Sequence, residues 1–206
     1  METIKKLSFF TAVVCAFFLI SYAFAQENSG LEADFEKFTK VKTIYSSFEM
    51  EKYLAIAEQP FVSKGEFYFK APDSLKWKYS VPFQYGFLID GKKILSWQDE
   101  NGKKEVKDIS ARPAASAALK QLYVFITMDK EQMSKAYRIE KSDGGIILYP
   151  KDDSKTQAIT NITIAFSKTS ASVERVVISE KNGGKTVIIF SGTKIDAELP
   201  ENAFEI

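Results

Sequence analysis

Apolar and polar positions alternate with a period of two along most of the chain, the signature of half-buried β-strands. Tyr45 to Ala57 alternates broadly, and Val62 to Lys70 puts Phe67 and Phe69 on one face and Glu66, Tyr68 and Lys70 on the other. Leu75, Trp77 and Tyr79 alternate against Lys76 and Lys78. Gln84 to Ile89 turns at Asp90-Gly91 into Ile94 to Gln98, which ends at Glu100-Asn101-Gly102. Further strands follow Tyr137. Asp143-Gly144-Gly145 turns into Ile146 to Tyr149, Ile159 to Ser167 alternates through Ile162, Ile164 and Phe166, and Val173 to Glu180 joins Lys185 to Ser191 at Asn182-Gly183-Gly184. These are consecutive hairpin signals. Lys194 to Ile206 is expected to close the sheet as an edge segment.

The period changes to that of a helix in two places. Leu31 to Val41 carries Leu31, Phe35, Phe38 and Val41 at helical spacing, with acids in its first turn. Arg112 to Met128 opens with Pro113, suited to a first helical position, and carries an apolar stripe of Ala115, Leu119, Leu122, Phe125 and Ile126. Asp129 to Ala136 reads as a further short helix. The pattern is therefore one α+β domain, mainly antiparallel β. A meander of about ten strands curls until it closes or is capped. The simplest architecture is a curved sheet, an open or partial barrel, whose apolar concave face is covered by the two amphipathic helices. Whether side chains fill that interior or leave a cavity is open at this point.

The first 25 residues read as an address. Lys5 and Lys6 precede an apolar run from Leu7 to Ile20, and Ala23-Phe24-Ala25 fits a signal-peptidase site. Cleavage after Ala25 leaves Gln26 as the first residue of a single domain, 26–206. That domain holds neither cysteine nor histidine, because the sole cysteine is Cys15 and histidine is absent.

Composition then removes chemistry. Without histidine there is no Ser-His-Asp triad, no Cys-His dyad and no histidine metal site. Lys and Arg number 28 against 27 Asp and Glu, so no basic field exists for nucleic acid. Asp152-Asp153, the only adjacent Asp pair, reads as a solvated loop flanked by lysines rather than a carboxylate site. Gly144-Gly145 and Gly183-Gly184 each lie between strands, so they read as hairpin turns and not phosphate loops. No catalytic residue, metal site or cofactor site is expected, and the aromatic share of 14% is what stands out.

One serial pattern is more specific. It runs Gly65-Glu66-Phe67-Tyr68-Phe69-Lys70-Ala71-Pro72, Leu75-Lys76-Trp77-Lys78-Tyr79, Pro82, Ile89-Asp90-Gly91-Lys92 and Leu95-Ser96-Trp97. With Ser47-Phe48 before it and Gly183-Gly184-Lys185-Thr186 leading into Val187 to Phe190 after it, the order resembles the LolA family of periplasmic outer-membrane lipoprotein carriers. Two positions depart from that family: Ala71 stands where it has an arginine, and Met50 where it has a glutamine.

The resemblance implies an unclosed half β-barrel of ten or eleven strands with a helical lid over a hydrophobic cavity. It implies a monomer that acts without cofactor as a periplasmic chaperone. Its partners would be lipoproteins, held by their acyl chains, an inner-membrane ABC release complex and an outer-membrane acceptor. On the same ground Phe67, Phe69, Leu75, Trp77, Tyr79, Ile89, Leu95 and Trp97 are expected to face the concave side, with Leu119, Leu122, Phe125 and Ile126 as the lid stripe. The same fold also serves lipid- or glycolipid-binding proteins and envelope-stress sensors, which is the alternative reading.

Overall fold

The structure is a computed structural model, described here for residues 35, 36, 38, 40–112, 124–151, 158–170 and 172–206. The chain divides into two compact units, Met1–Glu36 and Lys37–Ile206. The proposed signal segment, most of the first amphipathic helix, Leu119, Leu122 and Asp152-Asp153 lie outside the described residues. Phe35, Glu36 and Phe38, within the predicted first helix, are helical, as are Val124, Phe125 and Ile126 within the second.

The second unit is built on eleven strands: β1 (Thr43–Tyr53), β2 (Phe61–Lys70), β3 (Ser74–Val81), β4 (Gln84–Asp90), β5 (Lys93–Glu100), β6 (Lys103–Asp108), β7 (Tyr137–Ser142), β8 (Gly145–Pro150), β9 (Ile159–Phe166), β10 (Val173–Glu180) and β11 (Lys185–Ile195). They form one sheet in the order β6-β5-β4-β3-β2-β1-β11-β10-β9-β8-β7. Every pairing is antiparallel. The sheet is not closed: β6 and β7 are its two edges. Two hairpin meanders are thus zipped together by β1 and β11, the first and last strands.

Short turns explain the meanders. Gly91, Gly102, Gly144 and Gly183 all have positive φ, the conformation that tight hairpins require and that glycine adopts without strain. Gly144 and Gly183 are the first residues of the two glycine pairs predicted as turns. A short helix, α1 (Lys130–Ala136), precedes β7, capped by Asp129, whose side chain accepts from the Gln132 amide at 3.0 Å. It buries Met133 completely.

Two features differ from the sequence expectation. β6 carries Lys-Lys-Glu-Val-Lys-Asp and is exposed along its whole length. It has no apolar face to betray it, and its place in the sheet is set by the Asn101-Gly102 turn and its ladder with β5. The segment Lys194–Ile206 is not an edge. Its first two residues end β11, which lies between β1 and β10 in the middle of the sheet. The remainder crosses the outer face, where the Lys76 ammonium donates to the Glu205 carbonyl.

The register sorts side chains onto two faces. Ile44, Ser46 and Phe48 of β1 pair with Phe69, Phe67 and Gly65 of β2. Phe67 and Phe69 pair with Trp77 and Leu75 of β3, which pair with Phe87 and Ile89 of β4. In the other direction Phe48 pairs with Phe190, Ile188 with Val176, Val176 with Ile164, and Ile164 with Ile146. This face is apolar across nearly every strand and carries the main buried cluster. The opposite face carries Tyr45, Glu66, Tyr68, Lys76 and Lys78.

Candidate functional site

The apolar face folds back on itself. Trp77 and Phe67 from one half of the sheet, Ile44 and Ser46 from its middle, and Ile162, Ile164, Val176, Ile178, Ile188 and Phe190 from the other half all line a single cavity of about 90 Å³. Phe38, Phe125 and Ile126 complete its apolar wall. No charged side chain among the described residues lines it, and its polar groups are Ser46, Ser172 and Thr193.

The hydroxyls have partners within the protein, whereas the buried Trp77 indole N–H in the same wall has no hydrogen-bond partner among the described residues. Ser46 is 1% exposed and sits where the β1–β11 register slips between Tyr45 and Ser47. Its Oγ lies 2.8 Å from Thr193 Oγ1 and donates within reach of the Ser191 carbonyl at 3.1 Å. The Ser170 and Ser172 hydroxyls are 2.7 Å apart. A hydroxyl paired in this way does not demand a polar ligand.

An aromatic row runs along the cavity wall. Phe48 and Trp77 have ring centroids 4.5 Å apart, and Phe67 lies 5.6 Å from Trp77. Phe48 lies over Gly65 of β2, which pairs with Tyr79 of β3, so the Phe48 ring reaches Tyr79 directly and Trp77 diagonally. A Cβ on Gly65 would stand 2.6 Å from the Phe48 ring and 2.0 Å from the Lys78 carbonyl. The row continues to Tyr79, edge-on to Phe48 at 5.2 Å and stacked on Tyr85 at 4.2 Å. Burial, then the neighbouring Tyr85 phenol, pushes the Tyr79 hydroxyl up to about 12.

The cavity has a neighbour. A wider, more open pocket of about 440 Å³ shares Phe38, Ile44 and Ile126 with it. That second pocket reaches Phe69, Ala71 and Pro72 on one side and Thr127, Asp129, Lys130 and Glu131 on the other. Among the described residues no group of three His, Cys, Asp or Glu is placed to hold a metal ion. None of the described helices is long and apolar enough to cross a membrane.

The curled sheet and its apolar concave wall can be set against known proteins. A family described as "Outer membrane lipoprotein carrier protein LolA" matches residues 39–206. The chain belongs to the LolA family. An outer-membrane lipoprotein carrier protein of Pseudomonas fluorescens is 22% identical over 166 residues, covering 80% of this chain and 77% of that protein. One of Francisella tularensis is 22% identical over 198 residues, covering 92% and 93%. Among solved structures, MucB of Pseudomonas aeruginosa in complex with MucA shares the fold with a TM-score of 0.54 at 9% identity. That likeness covers 86% of this chain and 60% of the other.

With the LolA family established, the expected site residues can be located one by one. Phe67, Trp77, Phe125 and Ile126 line the apolar cavity, and Phe69 lines the adjoining pocket. Leu75, Tyr79 and Ile89 share their face and pack into or against the main cluster without lining the cavity. Leu95 and Trp97 are on the other face. Asp90 and Lys93 close the β4–β5 hairpin, so Ile89 faces Ile94, while Leu95 falls opposite Leu88 and Trp97 opposite Gly86. Trp97 is buried on the outer face, its ring 5.8 Å from the Lys76 ammonium. Burial lowers the Lys76 pKa, aided by the nearby Lys78 and Lys104. Ala71 sits on the rim of the 440 Å³ pocket.

Sequence reasoning left out the whole C-terminal wall, formed by Ile162, Ile164, Val176, Ile178, Ile188 and Phe190. The signal was present as period-two alternation in β9 and β10. What was absent was any means of knowing that these strands curl round to face Trp77.

Proposed function

We propose that this protein is a periplasmic carrier that holds lipoprotein acyl chains against the concave apolar face and moves them from the inner to the outer membrane. The observation that carries this reading is the cavity wall itself: both halves of an open sheet contribute apolar side chains, and no charged side chain among the described residues lines it. Each acyl CH₂ removed from water is worth about 0.8 kcal/mol, so a lipoprotein with several long chains needs a shield to cross an aqueous compartment. Membership of a family described as lipoprotein carriers supports the same use.

The cavity of about 90 Å³ is small beside the volume of several long acyl chains. In this reading the walls separate to accept the full cargo. A wall made of loosely fitted aromatic and aliphatic groups, with few fixed polar anchors, suits cargo that must also be released. In this reading the protein catalyses no reaction and needs no cofactor. An inner-membrane ABC complex loads it and an outer-membrane acceptor unloads it.

The test is release of cargo. Purified protein is added to spheroplasts of its own source carrying acyl-labelled lipoproteins. Labelled lipoprotein in the supernatant, bound to the carrier, is the expected result. No release, from spheroplasts whose transporter is shown active with another carrier, overturns the reading and leaves lipid binding or envelope sensing as the role of the cavity.

A further inference from the structure

We propose that the end of the sheet where β1 turns into β2 and β3 turns into β4 is a membrane-docking tip, with Ile56, Phe61 and Phe83 inserting into the headgroup layer of a lipid bilayer. The inference stands on exposed side chains that do not line the cavity, and it does not rest on the carrier reading.

Eight large apolar side chains are exposed among the described residues. Val106 and Ile189 stand singly, on β6 and β11. The other six gather at this one end. Ile56 is 95% exposed, Phe83 73% and Phe61 62%, with Val62, Val81 and Tyr85 beside them. The strand register makes the two turns neighbours. Lys64 pairs with Val81, and the same register carried outward sets Val62 opposite Phe83. Phe61 pairs with Lys52 of β1, which brings the 54–60 loop, with Ile56, alongside. Single exposed apolar residues are ordinary, whereas a contiguous group of this size marks an interaction site.

Three features of the tip select a lipid surface. The first is shape and area. The exposed parts of these six side chains amount to on the order of 600 Å², split between two turns that project past the strand ends. Each side of a stable protein interface buries about 800 Å², on a surface broad enough to match its partner. Projecting aromatic and aliphatic side chains suit a soft medium, into which they sink about 5–10 Å. The second is charge. Glu58 is the sole charged residue from Leu54 to Phe61, and none occurs from Ser80 to Tyr85. The acids behind the tip are already engaged. Glu49 pairs with Lys64 at 2.7 Å, Glu180 lies 4.0 Å from Lys52, and Glu51 accepts from the Tyr53 hydroxyl at 2.6 Å. The tip thus sets little negative charge against a headgroup layer. The third is continuity. Tyr85 stacks on Tyr79 at 4.2 Å, and Tyr79 lies 6.4 Å from Trp77 in the cavity wall. Ring follows ring from the tip to the concave face.

A site-specific probe tests the tip. Ala57→Cys and Gln84→Cys place a thiol at exposed tip positions, and Lys92→Cys places one on the β4–β5 turn at the other end of the sheet. Each is made in a Cys15→Ser background and labelled with an environment-sensitive fluorophore. The proteins are mixed with vesicles of phosphatidylethanolamine and phosphatidylglycerol, with and without brominated acyl chains. Labels at positions 57 and 84 are expected to shift to the blue and to be quenched by the bromine, while the label at position 92 stays in water. Ile56→Asp with Phe83→Asp, added to the Gln84→Cys protein, is expected to weaken vesicle partitioning by about tenfold or more. Both substituted residues are exposed, so an unchanged thermal melt is expected beside that loss.

Tip labels that do not respond to vesicles overturn the proposal, and so does a label at position 92 that responds as strongly. Partitioning of the folded double variant at the parent level also overturns it. A tip label that responds to protein concentration without vesicles, and to vesicles no further, overturns it in favour of a second copy of the chain. None of these outcomes bears on what the concave face holds.

Discussion

The Trp77 and Phe190 rings meet edge-on with centroids 6.1 Å apart, although two strands separate the ones that carry them. Adjacent strands lie about 4.8 Å apart, so three steps across a flat sheet would separate β3 from β11 by about 14 Å. The contact therefore measures the curl of the sheet around β1 and β2. It also explains why one cavity draws walls from β3 and from β9, which lie five steps apart in the sheet order.

That curl divides the apolar face into positions that pack and positions that line. Leu75 is fully buried in the main cluster, whereas Val176 is half-buried and faces the cavity. Leu75→Glu is expected to unfold the protein, since an unpaired charge there costs several kcal/mol. Val176→Glu is expected to leave it folded, with acyl binding abolished. Circular dichroism melts and fatty-acid titrations on both variants check the pair, and acyl binding by a folded Val176→Glu protein would remove that residue from the cavity.

Glycine-to-alanine changes probe the close approaches on the two faces. A Cβ on Gly65 would lie 2.0 Å from the Lys78 carbonyl, and one on Gly86 would lie 2.3 Å from the Trp77 carbonyl and 2.5 Å from Trp97 Cζ2. In both cases the obstacle includes backbone that cannot shift without disturbing a ladder. Each variant is expected to lose about 2 kcal/mol or more, read as a fall in the urea midpoint at unchanged slope.

These glycines also mark what could be read in advance. Most of the strands, the hairpin turns and the alternating face of β2 and β3 follow from period-two patterning and Gly-containing turns, so Phe67 and Trp77 were found at the cavity. The parity of β5 was not. Ile94, Leu95 and Trp97 are all apolar, so both faces of that strand qualify, and Trp97 is buried on the outer face beside the Lys76 ammonium. The Gly91-Lys92 turn fixes the register: once Asp90 and Lys93 pair, Ile94 and not Leu95 shares a face with Ile89. β6 escaped notice because it is exposed along its whole length, and its place is set by ladder hydrogen bonds to β5 and not by side-chain burial. Curvature, and with it the C-terminal wall, arises from packing between residues distant in sequence, such as Trp77 with Phe190.

Alkaline pH should weaken the fold through Tyr79. Its phenol is held neutral up to about 12 by burial, against an ordinary value of 10.0. The folded pKa is raised, so the contribution is fully present below pH 10 and is lost as pH rises from 10 to about 12, when the unfolded chain ionises first. Tyr79→Phe is expected to flatten the fall in stability across that window. Urea unfolding at several pH values measures it, and an unchanged slope in the variant would assign the loss to other groups.

Ser46 offers a polar test of the same wall. Its hydroxyl bridges Thr193 and the Ser191 carbonyl at the register shift between β1 and β11. Ser46→Ala leaves those partners short of one bond inside an apolar environment and is expected to cost about 1–2 kcal/mol. Acyl affinity should change little, because the hydroxyl is already committed within the protein. Equilibrium unfolding and fatty-acid titration of the one variant separate the two effects.

The most direct measurement is to see what an acyl chain touches. A synthetic lipopeptide bearing a photoreactive group near the end of one acyl chain is bound, irradiated and mapped by mass spectrometry. Adducts on Phe67, Trp77, Val176, Ile188 and Phe190 are the expected result. Adducts confined to Tyr68, Trp97 and the other residues of the outer face, or none above a lipid-free control, would contradict the assignment of the concave face as the acyl-chain site.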